Sequence, residues 1–416
     1  MSASRIGSAS AGISRRRFLH AGAAAAGALT LAERTAIAEV MVGGTSGLTV
    51  EDIRGWGETP GVVDIGDNEN PYGPSPMAVR AVADRLLDVN RYDFGSPRDL
   101  ANAIGAYHGL PEPEPVTNRF APSNYPVHVE AGSSFILNVV ANRFGIRNGR
   151  GEIIEAEPAY GGITRFVDEY QRRFGGRVSV KRVPTTASFQ HDLDAMRDAV
   201  SNRTTLVVIT NPNNPTGTIV PQAALESFVQ SLPSRVMVLI DEAYIDFVRE
   251  EEYGNSIALA QQYENVIVSR TFSKIYGLAG LRIGYAIASR ALVDELRFFG
   301  NSYGIGSVNA SAAIAALDDR AFVRHVLRMT NQVKDFFYAE LDRLGLDYVP
   351  SHSSFVLVNA GQDGAALAQR MAERNILLSR LGMDGNARMT NYVRFSMGTP
   401  EELQVTVDAL EEELTA

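Results

Sequence analysis

The chain has 416 residues, of which 45% are hydrophobic and 21% are charged, as is typical of a globular protein. Its net charge is −9 and it carries no basic stripe, which argues against a nucleic-acid-binding protein. Cysteine is absent, which excludes disulfides and thiol nucleophiles, and the six histidines lack the spacing of metal ligands. The length predicts one large domain and a smaller one.

The first 38 residues are predicted to be a targeting signal rather than part of the fold. Arg15, Arg16 and Arg17 precede an apolar, Ala/Gly-rich run over 20–32, and a small-x-small cleavage pattern follows over 36–38. This arrangement resembles a twin-arginine (Tat) export signal, so we expect the Tat machinery as a partner and a periplasmic location. The apolar run is too short for a stable membrane span. A disordered basic tail is the alternative interpretation.

After the signal, a Gly-rich arm over 41–61 leads to a short strand over 62–65 and a turn-dense segment over 67–75. Helical spacing of apolar residues then predicts helices over 76–88 and 97–108.

Seven short apolar runs follow and alternate with helices, which predicts βαβ units and a mostly parallel seven-stranded sheet. The runs span 127–129, 152–154, 178–183, 206–209, 236–240, 266–268 and 283–288. The helices among the first five span 134–144, 162–174, 192–200 and 222–231. The fold class is therefore α/β.

Residues beyond 290 are predicted to be mostly helical, over 291–299, 307–317 and 321–344. Two strands, over 354–358 and 392–396, then alternate with helices over 364–374 and 400–414. This pattern indicates a smaller α+β domain. We predict a signal over 1–38, an arm with part of the small domain over 39–90, a large domain over 91–310 and a small domain over 311–416.

Lys274 is the candidate reactive residue, because it follows a buried strand and lies among small hydroxyl residues. The chain has only three lysines and uses arginine for nearly all its other positive charges. A lysine in this place indicates a task that guanidinium cannot perform, such as nucleophilic attack by an amine that forms a Schiff base. A surface lysine in a loop is the alternative.

Other polar residues also follow predicted strands, where ligands of parallel sheets bind. Ser133 and Ser134 open a helix and offer a cradle for a phosphate or carboxylate, although a helix cap explains them equally well. Tyr160 could offer a flat face to an aromatic ligand. Asn214 is a candidate donor in a loop stiffened by prolines. Asp241 could hold a protonated ring nitrogen.

Tyr244 lies three residues after Asp241 and could donate to a phenolate oxygen. No G-x-x-x-x-G-K-[ST] loop is present, which excludes a P-loop protein, and no G-x-G-x-x-G motif follows the first run. An amine, a carboxylate, two donors, a stacking ring and a dianion cradle together match one cofactor, pyridoxal 5′-phosphate (PLP).

The chain resembles fold-type I, PLP-dependent aminotransferases of class I/II, and among them histidinol-phosphate aminotransferases in particular. Five motifs occur in the family's order between residues 60 and 410. They are Asn68-Glu-Asn-Pro-Tyr-Gly73, Asn213-Asn-Pro-Thr-Gly217, Asp241-Glu-Ala-Tyr244, Ser273-Lys274 with Gly280-Leu-Arg282, and Val393-Arg-Phe-Ser-Met-Gly398.

The resemblance implies a role for each matching residue. Lys274 would bind PLP and move a proton, Asp241 would pair with the ring nitrogen, and Tyr160 would stack on the ring. Asn214 and Tyr244 would bind the ring oxygen. The phosphate would be held by a group of four residues, namely Ser133, Ser134, Ser273 and Arg282.

The resemblance further implies a homodimer with shared active sites, in which Tyr92 reaches the phosphate of the neighbouring subunit. Arg394 would bind the substrate α-carboxylate as a bidentate pair. Asn70 and Tyr72 are also assigned to the substrate. The partners would be an amino acid and a 2-oxo acid, with no metal and no nucleic acid.

The chain departs from the family on the substrate side. Phe135 replaces a frequent acidic residue, Ser354 replaces a usual asparagine, and Arg380 lies one place late for a substrate phosphate. These departures leave PLP binding intact and bring histidinol phosphate into question. Other PLP chemistry on the same site, such as decarboxylation, elimination, racemisation or oxidation, stays open as the alternative to transamination. A non-catalytic PLP-binding protein is the third hypothesis.

Overall fold

The computed structural model of the chain describes residues 49, 59–118, 121–146, 149–249, 253–254, 256–300, 304–379 and 387–415. The predicted signal over 1–38, most of the predicted arm and Arg380 lie outside these residues. Within the described part of the chain, no helix combines the length and the apolar character that crossing a membrane requires.

Twelve strands are found in the described residues. They are β1 (Val63–Asp64), β2 (Val127–Glu130), β3 (Glu152–Glu157), β4 (Ser179–Pro184), β5 (Thr204–Thr210), β6 (Met237–Asp241), β7 (Val266–Thr271), β8 (Gly284–Ala288), β9 (Tyr348–Val349), β10 (Phe355–Asn359), β11 (Ile376–Leu377) and β12 (Tyr392–Ser396).

The helices of the described residues flank these strands. They are α1 (Pro76–Arg85), α2 (Ser96–Tyr107), α3 (Ser133–Val140), α4 (Gly162–Phe174), α5 (Leu193–Asp198), α6 (Gln222–Ser231), α7 (Ile257–Gln262), α8 (Arg290–Phe299), α9 (Ser307–Asp318), α10 (Arg320–Leu344), α11 (Gly364–Glu373) and α12 (Pro400–Thr415).

The large sheet has seven strands in the order β2-β8-β7-β6-β5-β3-β4. Strands β4, β3, β5, β6 and β7 run parallel, and β8 is antiparallel to both β7 and β2. The predicted α/β class and the mostly parallel seven-stranded sheet are therefore confirmed. Because parallel strands run in one direction, β5, β6 and β7 all end at the same edge of the sheet.

The central strands β5 and β6 consist mostly of apolar residues and are buried along their whole length, because helices cover both faces of the sheet. In β5, Leu206 and Val208 face one hydrophobic cluster, whereas Val207 and Ile209 face another. All four side chains are almost completely buried. Alternate residues of a strand point to opposite faces, so a strand buried on both sides needs a continuous apolar run.

Two smaller sheets complete the fold. Strands β12, β10 and β9 form an antiparallel sheet, and β1 pairs in parallel with β11. Helices α10, α11 and α12 contribute to one hydrophobic cluster with these strands, in which Phe337 contacts Phe395. The backbone N–H of Ser396 donates to the carbonyl of Ile65 at 3.0 Å, which ties the end of β12 to the segment after β1. The predicted domain boundaries stay predictions.

Most predicted elements are observed within two or three residues of their bounds. The sequence did not predict the two-residue strands β9 and β11 or the six-residue helix α7, because such short elements carry little periodicity. The helix predicted over 134–144 ends at Val140 and continues as a π-helix over Ala141–Ile146.

Candidate active site

A cavity of about 320 Å³ lies at the carboxyl ends of β5, β6 and β7. It is also lined from the segment after β1 and from β12. The predicted site residues that line it are Ser133, Ser134, Tyr160, Asn214, Asp241, Tyr244, Ser273, Lys274, Arg282 and Arg394. The fold therefore brings together side chains that are up to 261 positions apart in the sequence, from Ser133 to Arg394.

Lys274 is half-buried, three residues beyond the end of β7. Its Nζ donates to the backbone carbonyls of Asp67 and Asn68, at 3.1 Å in each case. It also lies 5.6 Å from the centre of the Tyr244 ring. Both acceptors are neutral carbonyls. Among the described residues, no carboxylate accepts a hydrogen bond from this amine. An amine held in this way stays available for covalent chemistry.

Asp241 is the last residue of β6, and only 4% of its surface is exposed. Its Oδ1 is buried without a hydrogen-bond partner within the described part of the chain. Burial and, next, the adjacent carboxylate of Glu242 raise the pKa of Asp241 to about 7. A buried carboxylate of this kind needs a cationic or N–H partner, because an unpaired buried charge is costly.

A cradle for an anion lies where β2 leads into α3. Gly132 precedes Ser133 with φ +89°, a conformation that a residue with a side chain rarely adopts. A Cβ at Gly132 would lie 2.7 Å from Nη2 of Arg282, so glycine allows this guanidinium to approach the start of the helix. Nη1 of Arg282 lies 3.5 Å from Oγ of Ser273. Helix-start amides, hydroxyls and a guanidinium together favour a phosphate.

Arg394 lies on β12 and is buried, with 8% of its surface exposed. Its Nη1 donates to Oδ1 of Asn214 at 2.7 Å and its Nη2 donates to the carbonyl of Gly66 at 2.5 Å. Its Nε is buried without a hydrogen-bond partner in the described residues. Burial lowers the pKa of Arg394 from its usual value. The bond to Asn214 occupies the amide oxygen, which leaves the amide N–H groups as the donors that Asn214 can offer.

Tyr160 lines the cavity on the side of α4. The guanidinium of Arg165 lies 5.1 Å from the centre of the Tyr160 ring and donates to the carbonyl of Tyr160 at 2.9 Å. A side chain at Gly162 would bring its Cβ within 2.7 Å of the ring. These contacts restrict the ring, which suits a residue that stacks on a flat ligand.

Three predicted site residues are not among the side chains that line this cavity in the described structure. Tyr92 is 90% exposed on the surface. Asn70 donates to the carbonyl of Ile275 at 2.9 Å and accepts from the backbone N–H of Tyr72 at 3.0 Å, so it holds the turn that follows β1. Tyr72 packs edge-on against His325, at 5.5 Å between ring centres. The roles assigned to these residues stay predictions.

Sequence reasoning missed three residues that line the cavity on the segment after β1: Asp67, Asn68 and Glu69. Asn68 and Glu69 belong to the Asn-Glu-Asn-Pro motif and Asp67 directly precedes it. The motif was noted in the sequence but assigned to the substrate only through Asn70 and Tyr72. The segment has no regular periodicity, so its side-chain directions cannot be inferred from the sequence. Asn68 is buried and adopts φ +54°.

Two observations show that the cavity fits pyridoxal 5′-phosphate. The unpartnered Oδ1 of Asp241 matches a protonated ring nitrogen, and the cradle at Gly132 and Arg282 matches a phosphate. Lys274 lines the same cavity with an amine, the kind of group that can bind the cofactor's aldehyde. The chemistry of this donor set is that of a PLP enzyme.

Comparison with known proteins agrees with this chemistry. Residues 60–410 match the family described as "Aminotransferase class I and II". The chain is 34% identical over 370 residues to a histidinol-phosphate aminotransferase of Moorella thermoacetica, covering 88% of this chain and 89% of that protein. It is 36% identical over 358 residues to histidinol-phosphate aminotransferase 1 of Cupriavidus pinatubonensis, covering 85% and 89%.

The fold is also similar to solved structures. The histidinol-phosphate aminotransferase of Sinorhizobium meliloti, solved in complex with pyridoxal-5′-phosphate, superposes with a TM-score of 0.75 at 26% identity, covering 88% of this chain and 95% of that one. A putative histidinol-phosphate aminotransferase of Erwinia carotovora atroseptica gives a TM-score of 0.75 at 28% identity, covering 84% and 95%. The chain therefore belongs to the class I and II aminotransferases and is a fold-type I aminotransferase that depends on pyridoxal 5′-phosphate.

Proposed function

We propose that this aminotransferase exchanges an amino group between an amino acid and a 2-oxo acid, and that Arg394 binds the α-carboxylate of both. The observation that carries this proposal is the buried Nε of Arg394, which has no hydrogen-bond partner in the described residues and belongs to a side chain lining the cavity of Lys274. A bidentate carboxylate pair would satisfy the guanidinium. Both substrates of a ping-pong exchange carry this carboxylate.

In the proposed mechanism, Asp241, Tyr160, Asn214 and Tyr244 hold the ring of the cofactor, and the cradle at Ser133, Ser134, Ser273 and Arg282 holds its phosphate. PLP, when bound, supplies an electron sink for the electrons left at the substrate Cα. Nζ of Lys274 takes the proton from that Cα as a general base.

Arg394 orients the substrate through its carboxylate, because two parallel hydrogen bonds fix direction as well as distance. The side chains that line the cavity would exclude water from the reacting carbon, which would strengthen each charge interaction there.

Histidinol phosphate is a second candidate donor, because the relatives described above are named for it. This donor has a phosphate and no α-carboxylate, so Arg394 could not bind it in the way proposed for an amino acid. The departures at Phe135 and Ser354 favour an amino acid over this phosphate ester.

We propose that the functional unit is a homodimer in which Tyr92 completes the phosphate site of its partner. The exposed apolar side chains between positions 77 and 94 support this proposal. They are Met77 (40% exposed), Leu86 (41%), Leu87 (67%), Val89 (57%), Tyr92 (90%) and Phe94 (38%). A group of exposed apolar side chains so close together in the sequence is typical of an interaction surface. Sedimentation should give a dimer, and mixed dimers of Tyr92→Ala and Lys274→Ala subunits should regain activity at one of their two sites.

We also propose that residues 1–38 direct the folded, cofactor-loaded enzyme through the Tat machinery to the periplasm. The three consecutive arginines ahead of an apolar run support this proposal. Replacement of Arg15, Arg16 and Arg17 by lysine should leave the enzyme in the cytoplasm, whereas the unaltered chain should be recovered from the periplasm. Equal periplasmic recovery of both would contradict the proposal.

A single-turnover spectrum tests the reaction. The purified enzyme is mixed with each of a panel of amino acids, or with histidinol phosphate, in the absence of a 2-oxo acid. Conversion of the bound cofactor to pyridoxamine phosphate supports transamination, and the fastest donor identifies the substrate class. Release of ammonia or carbon dioxide without that conversion would contradict the proposal. If histidinol phosphate is the one donor of the panel that reacts, the amino donor is histidinol phosphate and not an amino acid.

A further inference from the structure

We infer that Asn68 is a positioning residue that, together with Ser396, aims the hydroxyl proton of Tyr244 at the ring oxygen of the cofactor. The inference deepens the proposed function, because it rests on the role proposed for Tyr244. It adds two residues to the site, one on the segment after β1 and one on β12. Neither is assigned by the strand-end motifs.

The hydrogen bonds around Asn68 form a continuous chain. Nδ2 of Asn68 donates to the hydroxyl of Tyr244 at 2.9 Å. The hydroxyl of Ser396 donates to Oδ1 of Asn68 at 2.7 Å, and the backbone N–H of Asn68 donates to Oγ of Ser396 at 2.9 Å. All three residues are buried, with 2%, 4% and 3% of their surfaces exposed for Asn68, Tyr244 and Ser396. Buried polar groups keep such bonds because losing them is costly.

The direction of these bonds decides where the proton of Tyr244 points. Oγ of Ser396 accepts from the backbone, so its own proton is donated to Oδ1 of Asn68. Oδ1 thus faces Ser396 and the amide NH₂ faces Tyr244. A phenol that accepts this bond keeps its own proton for another acceptor. Because Tyr244 lines the cavity, that acceptor is the ring oxygen of the bound cofactor.

The backbone of Asn68 explains why this residue suits the position. Its φ of +54° lies in the left-handed region, which asparagine tolerates better than most residues with a side chain. The same conformation turns its carbonyl toward Lys274, whose Nζ donates to it at 3.1 Å. Asn68 therefore contacts both the reactive amine and the ring-oxygen donor, and Ser396 anchors it to β12.

The chain of bonds has a measurable consequence. A hydroxyl that accepts one hydrogen bond becomes a stronger donor in the next. A strong donor keeps the ring oxygen of the cofactor deprotonated and so lowers the pH at which the absorbance of the bound cofactor changes. Loss of the amide of Asn68, or of the hydroxyl that orients it, should raise this pH midpoint and weaken binding of the cofactor to the cofactor-free protein.

The test compares the variants Asn68→Gly, Ser396→Ala and Tyr244→Phe as purified, full-length proteins. Glycine keeps the left-handed backbone and removes the amide. We expect Asn68→Gly to raise the pH midpoint by about half a unit to one unit, and Ser396→Ala to raise it by a smaller amount. The dissociation constant of PLP, measured by fluorescence titration of cofactor-free protein, should rise by about threefold to tenfold. Ser353→Ala, which removes a fully buried hydroxyl that has no partner in the described residues, is the control and should move neither quantity.

The double variant Asn68→Gly/Tyr244→Phe separates positioning from a general structural effect. If Asn68 acts through the hydroxyl of Tyr244, its loss should not raise the midpoint further once that hydroxyl is gone. Equal shifts in both backgrounds would overturn the inference. If Tyr244→Phe moves the midpoint and Asn68→Gly does not, the inference alone fails. If Tyr244→Phe leaves the midpoint unchanged, both this inference and the proposed role of Tyr244 fail.

Discussion

The two sides of the cavity are built in different ways. On the cofactor side, each residue lies within a few positions of a strand of the large sheet: Asp241 ends β6, Lys274 follows β7, and Ser133 follows β2. On the other side, hydrogen bonds join Asn68 to Ser396 and Gly66 to Arg394. The two residues of each pair are 328 positions apart in the sequence. The cofactor side is therefore a local property of strand ends, whereas the other side exists only after β12 has packed against the segment that follows β1.

This difference in construction matches a difference in the proposed functions of the two sides. The strand ends are anchored in a sheet buried on both faces, which suits groups that must hold one cofactor in a constant geometry. The opposite side is held by a few hydrogen bonds that join a turn to a small sheet. It contains Arg394, the residue proposed to contact a substrate that enters and leaves. Changes at the strand ends should abolish chemistry or cofactor binding, whereas a change at Arg394 should alter substrate binding.

The largest effect is expected for Lys274→Ala. Loss of the amine removes both the covalent anchor of the cofactor and the base at the substrate Cα, so transamination should fall by about ten-thousandfold. Initial rates with the fastest donor measure this, and Lys181→Ala is the matched control at one of the two other lysines. A fall of less than about tenfold would contradict the assignment of Lys274 as the reactive residue.

The next largest effect concerns the stability of the cofactor-free protein, which should depend on pH through the buried carboxyl group of Asp241. Its pKa is about 7 in the cofactor-free fold against 3.8 in the unfolded chain, so the folded state binds the extra proton between these values. Stability of the cofactor-free protein should therefore fall as pH rises from about 4 to about 7, by about 4 kcal/mol from this group. Urea unfolding across this range measures it.

The variant Asp241→Asn isolates this group. In this variant, the fall in stability with rising pH should lack the contribution of Asp241. The control Asp194→Asn, at a side chain that is 82% exposed, should show the pH profile of the wild type. In the proposed site the bound cofactor would place a protonated ring nitrogen beside Asp241. The stabilisation that PLP gives the protein should therefore grow over the same pH range. Identical pH profiles for wild type and Asp241→Asn would contradict the interpretation.

The variant Arg394→Lys tests the substrate side. Lysine keeps a positive charge but loses the planar pair of donors, so KM for the amino acid and for the 2-oxo acid should rise by about 30-fold to 100-fold. The affinity of the cofactor-free protein for PLP should change much less. A loss of PLP affinity as large as the change in KM would show that the two sides are not separable as described.

The smallest effect is expected for Tyr92→Phe, which removes one hydroxyl from the proposed contact with the partner's phosphate site. The dissociation constant of PLP should rise by about threefold to tenfold, the net worth of one ordinary hydrogen bond. Tyr263→Phe, on the same fold but away from the cavity, is the matched control. An unchanged affinity in the dimer would remove Tyr92 from the site.

The sequence by itself determined the fold class, the seven-stranded sheet and the cofactor side of the cavity. These follow from local rules, because apolar runs that alternate with helices predict parallel strands, and polar residues that follow such strands meet at one edge. Asp241, Lys274 and the serines of the cradle could therefore be identified by position. The resemblance to the family then added roles for Arg394, Arg282 and Tyr92, which position alone would not have selected.

Only the tertiary structure decided which residues of the turn after β1 face the cavity. The substrate roles that the sequence assigned to Asn70 and Tyr72 stay predictions. In the structure Asn70 holds the turn together, and Asn68 is the residue that contacts Tyr244. A segment without helical or strand periodicity carries no rule for side-chain direction. The direction of Asn68 is set by Ser396, 328 positions away, and contacts over that separation form only when the two sheets have packed.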